Sequence, residues 1–255
     1  MPARRFFVEG VRETGACVAI AGSDARKIVR VLRLTDGDAI EVVDSAGQLF
    51  AASVAIDGTR VRATLDRTAA DDADDAGVPR FDVAQALPKG TKMDFVVEKT
   101  TELGANAILP FCSERTIARD AGAARVERWR RLAKTSAQQC GRRAVPVVRD
   151  VLPAFDSLLE RFKDYDAVLF PWELAPHAPL RERLPELIRD AHRVLIVVGP
   201  EGGFTHDEAE AAQARGASLL WMGPRILRTE TAAMALLAIA GAFAQSRNPE
   251  RPRRT

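Results

Sequence analysis

The chain has 255 residues, 47% of them apolar and 28% charged, the composition of a soluble globular protein of one large or two ordinary domains. Thirty-seven basic residues nearly balance thirty-five acidic ones, so the net charge of +2 argues neither for nor against a nucleic-acid partner. Three cysteines, Cys17, Cys112 and Cys140, are odd in number and without metal-ligand spacing; they exclude a disulfide framework or zinc site and point to a reducing, cytoplasmic compartment.

The N-terminus, MPARRFFVEG, lacks the apolar core of a secretion signal. Beyond it, residues 1–67 read mostly as short strands at 17–20, 39–43, 49–56 and 61–65. Turn signals separate them: Asp36-Gly37-Asp38, Asp44-Ser45-Ala46-Gly47 and Asp57-Gly58. One helix interrupts them at 24–32, with Ser23 as N-cap and Ile28, Val31 and Leu32 on one face. The pattern predicts a small β-barrel carrying one helix.

Residues 68–80 (TAADDADDAGVPR) are small and acidic, bury no apolar area, and read as a linker. Strands and helices then alternate. Strands are predicted at 82–87, 107–111, 167–170, 194–198 and 218–221, and helices at 92–103, 124–139, 155–162, 180–190, 207–214 and 230–243. Continuous apolar strands between helices predict an α/β domain with a parallel sheet covered on both faces, over residues 81–246.

The helix at 124–139 and its sequel hold the chain's charge asymmetry. From Gly122 to Arg149 there are eight basic residues against one acid, Glu127. Such a run is either a solvated face or a phosphate-binding patch, and the aromatic Trp129 within it leans toward nucleic acid. Residues 247–255 form a second, basic tail.

Two stretches near the C-terminus repeat one grammar of apolar strand, Gly-Pro loop and helix start. The first contains Gly199-Pro200-Glu201-Gly202-Gly203, followed by the capping box Thr205-x-x-Glu208. The second is Met222-Gly223-Pro224-Arg225-Ile226-Leu227-Arg228-Thr229-Glu230-Thr231, with Thr229 as N-cap of the last helix. Loops at the C-terminal ends of neighbouring parallel strands form one crevice, where open α/β sheets bind ligands. Each loop by itself is also compatible with a plain tight turn, and Arg228 beside Glu230 with a surface ion pair. The nucleotide-phosphate patterns G-x-G-x-x-G and G-x-x-x-x-G-K-[ST] are absent, and the strand that would carry a ribose-binding acid, 218–222, ends apolar. Glu201 would repel a pyrophosphate, so the crevice favours an apolar, cationic or zwitterionic ligand. The last helix, rich in Ala and apolar all round, must be buried in a core or shared with a second subunit. Its apolar stretch of about 13 residues is short of the roughly 20 needed to cross a bilayer, so no membrane is expected. His177, His192 and His206 have no metal spacing, and no metal is expected.

These loops, in order with Arg5-Phe6-Phe7-Val8, Val31-Leu32-Arg33, Gly37-Asp38, Leu87-Pro88-Lys89-Gly90-x-Lys92-Met93-Asp94, Lys99-x-x-Glu102-Leu103-Gly104, Pro110-Phe111-x-Ser113-Glu114-Arg115 and Gln139-Cys140-Gly141-Arg142, resemble the RsmE-type 16S rRNA uracil-N3 methyltransferases of the SPOUT superfamily over nearly the whole chain. The resemblance implies a PUA-like β-barrel followed by a SPOUT-type α/β domain whose C-terminal chain forms a trefoil knot. It implies a homodimer that uses S-adenosylmethionine to methylate uridine N3 in 16S rRNA of the small ribosomal subunit. Carried over by position, the cofactor pocket would comprise Phe170, Pro171, Gly199, Glu201, Gly202, Met222, Gly223, Ile226, Leu227, Arg228 and Thr229. Arg228 and Glu230 would be catalytic, and Arg4, Arg5, Arg30, Arg33, Arg115, Arg142 and Arg143 would bind RNA.

Three positions depart from the family pattern: Gln138 stands where Glu is usual, Ala25 where His is usual, and Asp44-Ser45 where Asp-Gly is usual. The first weakens any proton-handling role at 138. The rival readings are a relative acting on another RNA or on ribose 2′-OH, a non-catalytic RNA-binding or assembly protein of the same fold, and a nucleotide-dependent dehydrogenase, which the missing ribose acid disfavours.

Overall fold

The computed structural model describes residues 4–68, 78–117, 122–176 and 180–245. The predicted linker lies largely, and the basic tail and His177 wholly, outside them. The chain divides into two compact units: Met1–Asp74 with Ala137–Ala144, and Asp75–Ser136 with Val145–Thr255. Residues 137–144, expected in the second domain, count with the first because side chains tie them there. Gln138 Nε2 donates to Asp24 Oδ1 at 3.1 Å, both residues being buried, and the Arg5 guanidinium donates to the Gly141 carbonyl.

The first unit is a five-stranded, barrel-like sheet of β1 (Arg5–Phe7), β2 (Cys17–Ile20), β3 (Ala39–Val43), β4 (Leu49–Asp57) and β5 (Arg60–Thr68). The strand order is β1-β3-β4-β5-β2, with β1 parallel to β3 and the remaining pairs antiparallel. Alternation sends Phe50, Ala52 and Val54 of β4 and Val61, Ala63 and Leu65 of β5 into one core with Phe6 and Ile28. Periodicity does not predict strand β1, since three residues are too few to show it.

The helix expected at 24–32 is instead α1 (Gly22–Arg26) running into a π-helical turn, Lys27–Val31. Ala21 occupies the N-cap position with no side-chain cap, which displaces Ser23 from that role. The wide turn leaves Val31 72% exposed and keeps Ile28 fully buried. Arg33 then takes φ 51°, the one positive φ of a non-glycine residue among those described, and this reverses the chain so that Leu34 enters the core.

The second unit alternates β6 (Arg80–Ala86), α2 (Lys92–Glu102), β7 (Ala107–Phe111), α3 (Ala123–Cys140), β8 (Val147–Val148), α4 (Phe155–Leu159), β9 (Ala167–Pro171), α5 (Leu180–Leu187), β10 (Arg193–Val198), α6 (His206–Ala214), β11 (Ala217–Leu220) and α7 (Thr229–Gln245). The last turn of α3 belongs to the first unit. All six strands are parallel, in the order β11-β9-β10-β6-β7-β8. Successive side chains of β10 alternate between two cores: Val194, Ile196 and Val198 join α2, α3, α5 and α7, whereas Leu195 and Val197 join α4 and α6. This is the doubly covered parallel sheet expected from the continuous apolar strands.

Helix α2 buries Met93, Val96, Val97, Thr100 and Thr101, the i, i+3, i+4 spacing of one helix face. The predicted capping box at the start of α6 is present, with Thr205 and Glu208 bonded reciprocally. Helix α4 is shorter than expected and is followed by a 3-10 turn at Phe162–Asp164. Helix α7 is not buried all round: Ala233, Leu236, Leu237 and Ala240 are buried, while Ala238 and Ala242 face outward.

Trp129 is a core residue, 1% exposed, and its indole N–H donates to Asp94 Oδ1 at 3.0 Å. It is therefore not a platform for a stacked base. Replacing it with alanine should cost about 3–5 kcal/mol. The shift of the urea unfolding midpoint of Trp129→Ala measures this, and a shift under about 1 kcal/mol would show that the site collapses around the deletion.

Candidate functional site

Strand order locates the crevice. From β6 the chain proceeds outward to β7 and β8, whereas β10 and β9 lie on the other side of β6. The loops leaving the C-terminal ends of β6 and β10 therefore diverge, and a cleft opens between them. The loop after β10 carries Gly199–Phe204, the loop after β6 leads to Lys92, and the segment after β11 brings Ile226–Thr229 against both.

A cavity of about 480 Å³ lies there, lined among others by Lys92, Gly199, Glu201, Leu227, Arg228 and Thr229. A second hollow of about 440 Å³ adjoins it, with Trp172, Leu174, Trp221, Met222, Gly223 and Ile226 in its wall. Pro171, Glu173, Ile226, Leu227 and Ala232 border both. Together they have the size and mixed lining of a small-molecule site.

The two signature loops are joined by a buried polar node. The Thr229 hydroxyl donates to the Gly199 carbonyl at 2.5 Å and accepts from Gln85 Nε2 at 2.7 Å. Gln85, fully buried, also donates to the Ala86 carbonyl at 3.0 Å. Thr229 is the first helical residue of α7 rather than its N-cap, because its hydroxyl is committed across the cleft instead of to its own helix. In the first loop, a Cβ on Gly199 would stand 3.0 Å from the Phe204 ring, which would have to shift to admit it. Gly203, at φ 67°, is the loop residue that uses glycine's left-handed freedom.

Charge is arranged around the same point. Lys92 Nζ pairs with Glu201 Oε1 at 2.8 Å and approaches Glu230 Oε2 at 3.7 Å. The Lys89 backbone N–H donates to the same Glu201 oxygen at 3.1 Å. Burial pushes the Glu201 carboxyl up, but the Lys92 ammonium and the Glu201 and Lys89 N–H groups outweigh it and hold it below the usual range. The hydrogen bond to Glu201 holds Lys92 above its usual value, against desolvation and the nearby Arg228. A lowered carboxylate contributes stability above its unfolded pKa and loses it as pH falls through the folded one. A raised amine does the reverse at the alkaline end. The pair is thus intact between the ordinary values of 4.5 and 10.5 and weakens outside them.

Arg228 is exposed beside the cavity, with no hydrogen bond or ion pair of its side chain among the described residues. Glu230 pairs with Lys92 instead, so the surface pair considered for Arg228 and Glu230 is not formed. Glu230 does not line the cavity, and its Oε2 is buried without a hydrogen-bond partner.

Of the expected cofactor residues, Pro171, Gly199, Glu201, Gly202, Met222, Gly223, Ile226, Leu227, Arg228 and Thr229 all border the two hollows. Phe170 borders neither. It is fully buried and packs its ring 4.3 Å from that of Phe204, supporting the loop from below.

Among the expected RNA-contacting arginines, Arg5 is buried and bound to Glu41 and Gly141, which takes it out of a surface role. Arg30 and Arg33 are exposed on and after the π turn, and Arg4, Arg142 and Arg143 are half-buried. Arg115 donates to the Gly202 carbonyl at 2.8 Å and braces the first loop. Within the basic helix, Arg128 pairs with Asp94, and Arg130 with Glu127 and Asp150. Part of its positive charge is therefore already neutralised.

Sequence reasoning does not single out Lys92 and Gln85 as site residues. The signal is present for Lys92: Leu87-Pro88-Lys89-Gly90-Thr91-Lys92 also runs from a strand through a loop of proline and glycine into a helix, as the other two loops do. No cluster of side chains suited to a metal ion occurs among the described residues, and no described helix is long and apolar enough to cross a membrane.

Residues 77–241 match the model of the RNA methyltransferase domain family. The chain is 32% identical to the ribosomal RNA small subunit methyltransferase E of Bacillus subtilis, covering 93% of this chain and 96% of that one. It is also 32% identical to the protein of the same name from Mycobacterium tuberculosis, over 94% of this chain and 92% of that one. A crystal structure of the Neisseria gonorrhoeae ribosomal RNA small subunit methyltransferase E bound to S-adenosyl methionine superposes with a TM-score of 0.82 at 27% identity, covering 95% of this chain and 98% of that one.

The node of Thr229, Gly199 and Gln85 is testable without any ligand. Thr229→Val removes the hydroxyl that bridges the Gln85 amide and the Gly199 carbonyl, leaving Gln85 only its bond to Ala86 and a longer approach to Gly199, and should destabilise the protein by about 1–3 kcal/mol. Thr229→Ser, which keeps the hydroxyl, should unfold close to the parent. Equal urea midpoints for all three proteins would show that the loops are held together by packing alone.

Proposed function

The chain belongs to the RNA methyltransferase family, and we propose that it transfers a methyl group from S-adenosylmethionine to uracil N3 of a uridine in 16S rRNA. The hollows fit that cofactor. Pro171, Met222, Ile226 and Leu227 offer apolar surface to a purine, Glu201 and Glu173 offer negative charge to its ammonium and sulfonium, and the backbone at Gly199 is kept bare. When bound, the cofactor supplies a methyl group on a positively charged sulfur.

The chain's own residues must then position the uracil and stabilise the charge that spreads onto its carbonyl oxygens as N3 loses its proton. The observation that carries this reading is Arg228. Its guanidinium stands at the cavity without a hydrogen bond or ion pair to any described residue, while both nearby carboxylates are engaged by Lys92. Glu230 fits the role of counterion to Lys92 better than that of proton acceptor, since it does not border the cavity. The target base has to leave its stack to reach this depth.

We further propose a homodimer formed through the outward Ala238 and Ala242 face of α7, and a knotted C-terminal chain. The return of Thr229 from the sheet edge at β11 to the interior ends of β6 and β10 supports the knot. An rRNA substrate implies a cytoplasmic protein. Arg30, Arg33, Arg142 and Arg143 are proposed to contact RNA phosphates.

Mass analysis of nucleosides from small-subunit rRNA incubated with protein and cofactor tests the assignment: 3-methyluridine is expected, and a 2′-O-methylated nucleoside in its place would overturn it. Arg228→Ala should slow single-turnover methylation about 10²–10³-fold, the effect of losing one preorganised charge stabiliser. Arg228→Lys should recover little, because a point charge does not reproduce a planar fork. A near-parental rate for Arg228→Ala would remove it from the chemistry. For RNA binding, the Arg142→Ala/Arg143→Ala double variant should flatten the slope of log affinity against log salt by about 0.7–0.9 for each phosphate no longer neutralised. An unchanged slope would make these two arginines part of a solvated face.

A further inference from the structure

We propose that Lys92 is a second catalytic cation, donating to one carbonyl oxygen of the target uracil while Arg228 serves the other. This rests on the uracil-N3 reading above and deepens it. In the anion of uracil, N3 lies between two carbonyl carbons, and the negative charge divides between two oxygens on opposite sides of the reacting atom. A single guanidinium beside one oxygen leaves the other without a donor.

The cavity presents two cations. Arg228 comes from the segment before α7 and Lys92 from the first turn of α2, and both line the same hollow. They are close enough for Arg228 to repel the Lys92 charge, so the site holds two like charges together. Glu201, from the loop after β10, and Glu230, from the first turn of α7, offset that repulsion at 2.8 Å and 3.7 Å from Nζ. The cost of assembling four charges at one point is understandable if an anion forms there during the reaction. An ammonium has three donors, and among the described residues only one is committed at hydrogen-bond distance to a carboxylate, Glu201. The charged groups facing Lys92 are Glu201, Glu230 and Arg228.

In the step itself the N3–H bond breaks and its proton leaves to solvent water. The N3–methyl bond then forms from the electron pair left on nitrogen, and the sulfur–methyl bond breaks with its pair returning to sulfur, which becomes a neutral thioether. Lys92 stays protonated throughout and acts only as a donor.

Lys92→Gln and Lys92→Arg separate this role from that of a loop brace. Single-turnover methylation of small ribosomal subunits, with S-adenosylmethionine pre-bound, is followed from about pH 6 to pH 10. Lys92→Gln should slow the transfer about 10–10²-fold near neutrality. The deficit should shrink as pH rises, because removing a cation beside the uracil anion moves the alkaline limb of the rate profile up by about one pH unit. Lys92→Arg, which keeps the charge, should regain most of the rate.

A second readout needs no turnover. Calorimetry in two buffers of different ionisation enthalpy counts the protons released when the RNA target joins protein loaded with S-adenosylhomocysteine, and Lys92→Gln should release fewer than the parent. A parental rate profile and proton count in Lys92→Gln would overturn the assignment. A rate loss that is equal at all pH and parallels a loss of cofactor affinity by titration would also overturn it, reducing Lys92 to a brace for Glu201. If the parent forms 3-methyluridine and these signatures are missing, only the role of Lys92 fails. If the parent forms none, the proposed function fails and this role with it.

Discussion

The site depends on one buried hydroxyl. Thr229 stands where three segments distant in sequence meet: the end of β6 through Gln85, the loop after β10 through Gly199, and the start of α7 through its own backbone. A buried polar group must find a partner or destabilise the fold. Here each of the three supplies part of what the others lack, so the loops are held in one mutual geometry rather than merely lying close. The Gln85 Oε1 is left without a partner, and the amide is thus held mainly through its donor end.

Outside this node the electrostatics are layered. Lys92 gathers Glu201 and Glu230, while Arg228 stands at the cavity without a hydrogen bond or ion pair among the described residues. Fully exposed in water such pairs would contribute little. Their consequence here is placement: with both carboxylates directed to Lys92, neither is paired with Arg228. Glycine acts as selectively as charge. At Gly199 the Phe204 ring would crowd a side chain, whereas at Gly203 it is the backbone angle that calls for glycine. At Gly202 a Cβ would press on Arg115, 3.3 Å away, so the loop is crowded from outside as well.

In the first unit, the π turn and the positive φ of Arg33 form a single device. One wide turn followed by one left-handed residue exposes Val31, buries Leu34, and leaves Arg30 and Arg33 on the outside. Residues in such sparsely populated conformations persist only where their surroundings hold them. The surroundings here are the fully buried Ile28 and the Leu34 backbone N–H, which donates to the Ile28 carbonyl at 3.1 Å.

By itself, the sequence determined the change from barrel-like sheet to parallel α/β unit, because alternating and continuous apolar runs are local patterns that bury one face or two. It also determined the two Gly-Pro loops and the α6 capping box, whose residues lie within a few positions of each other. Strand β1, the π turn and the cap of α1 escaped it, since three residues show no period and a π turn has no composition of its own. Tertiary structure alone decided that Glu230 faces Lys92 rather than Arg228, that Phe170 supports the pocket from beneath, that Arg5 and Trp129 are structural, and that Thr229 bonds across the cleft instead of capping its helix. Each of these turns on a partner roughly thirty to a hundred and forty residues away in the chain, and hydrogen bonds and ion pairs at that separation follow from strand order, which no local pattern encodes.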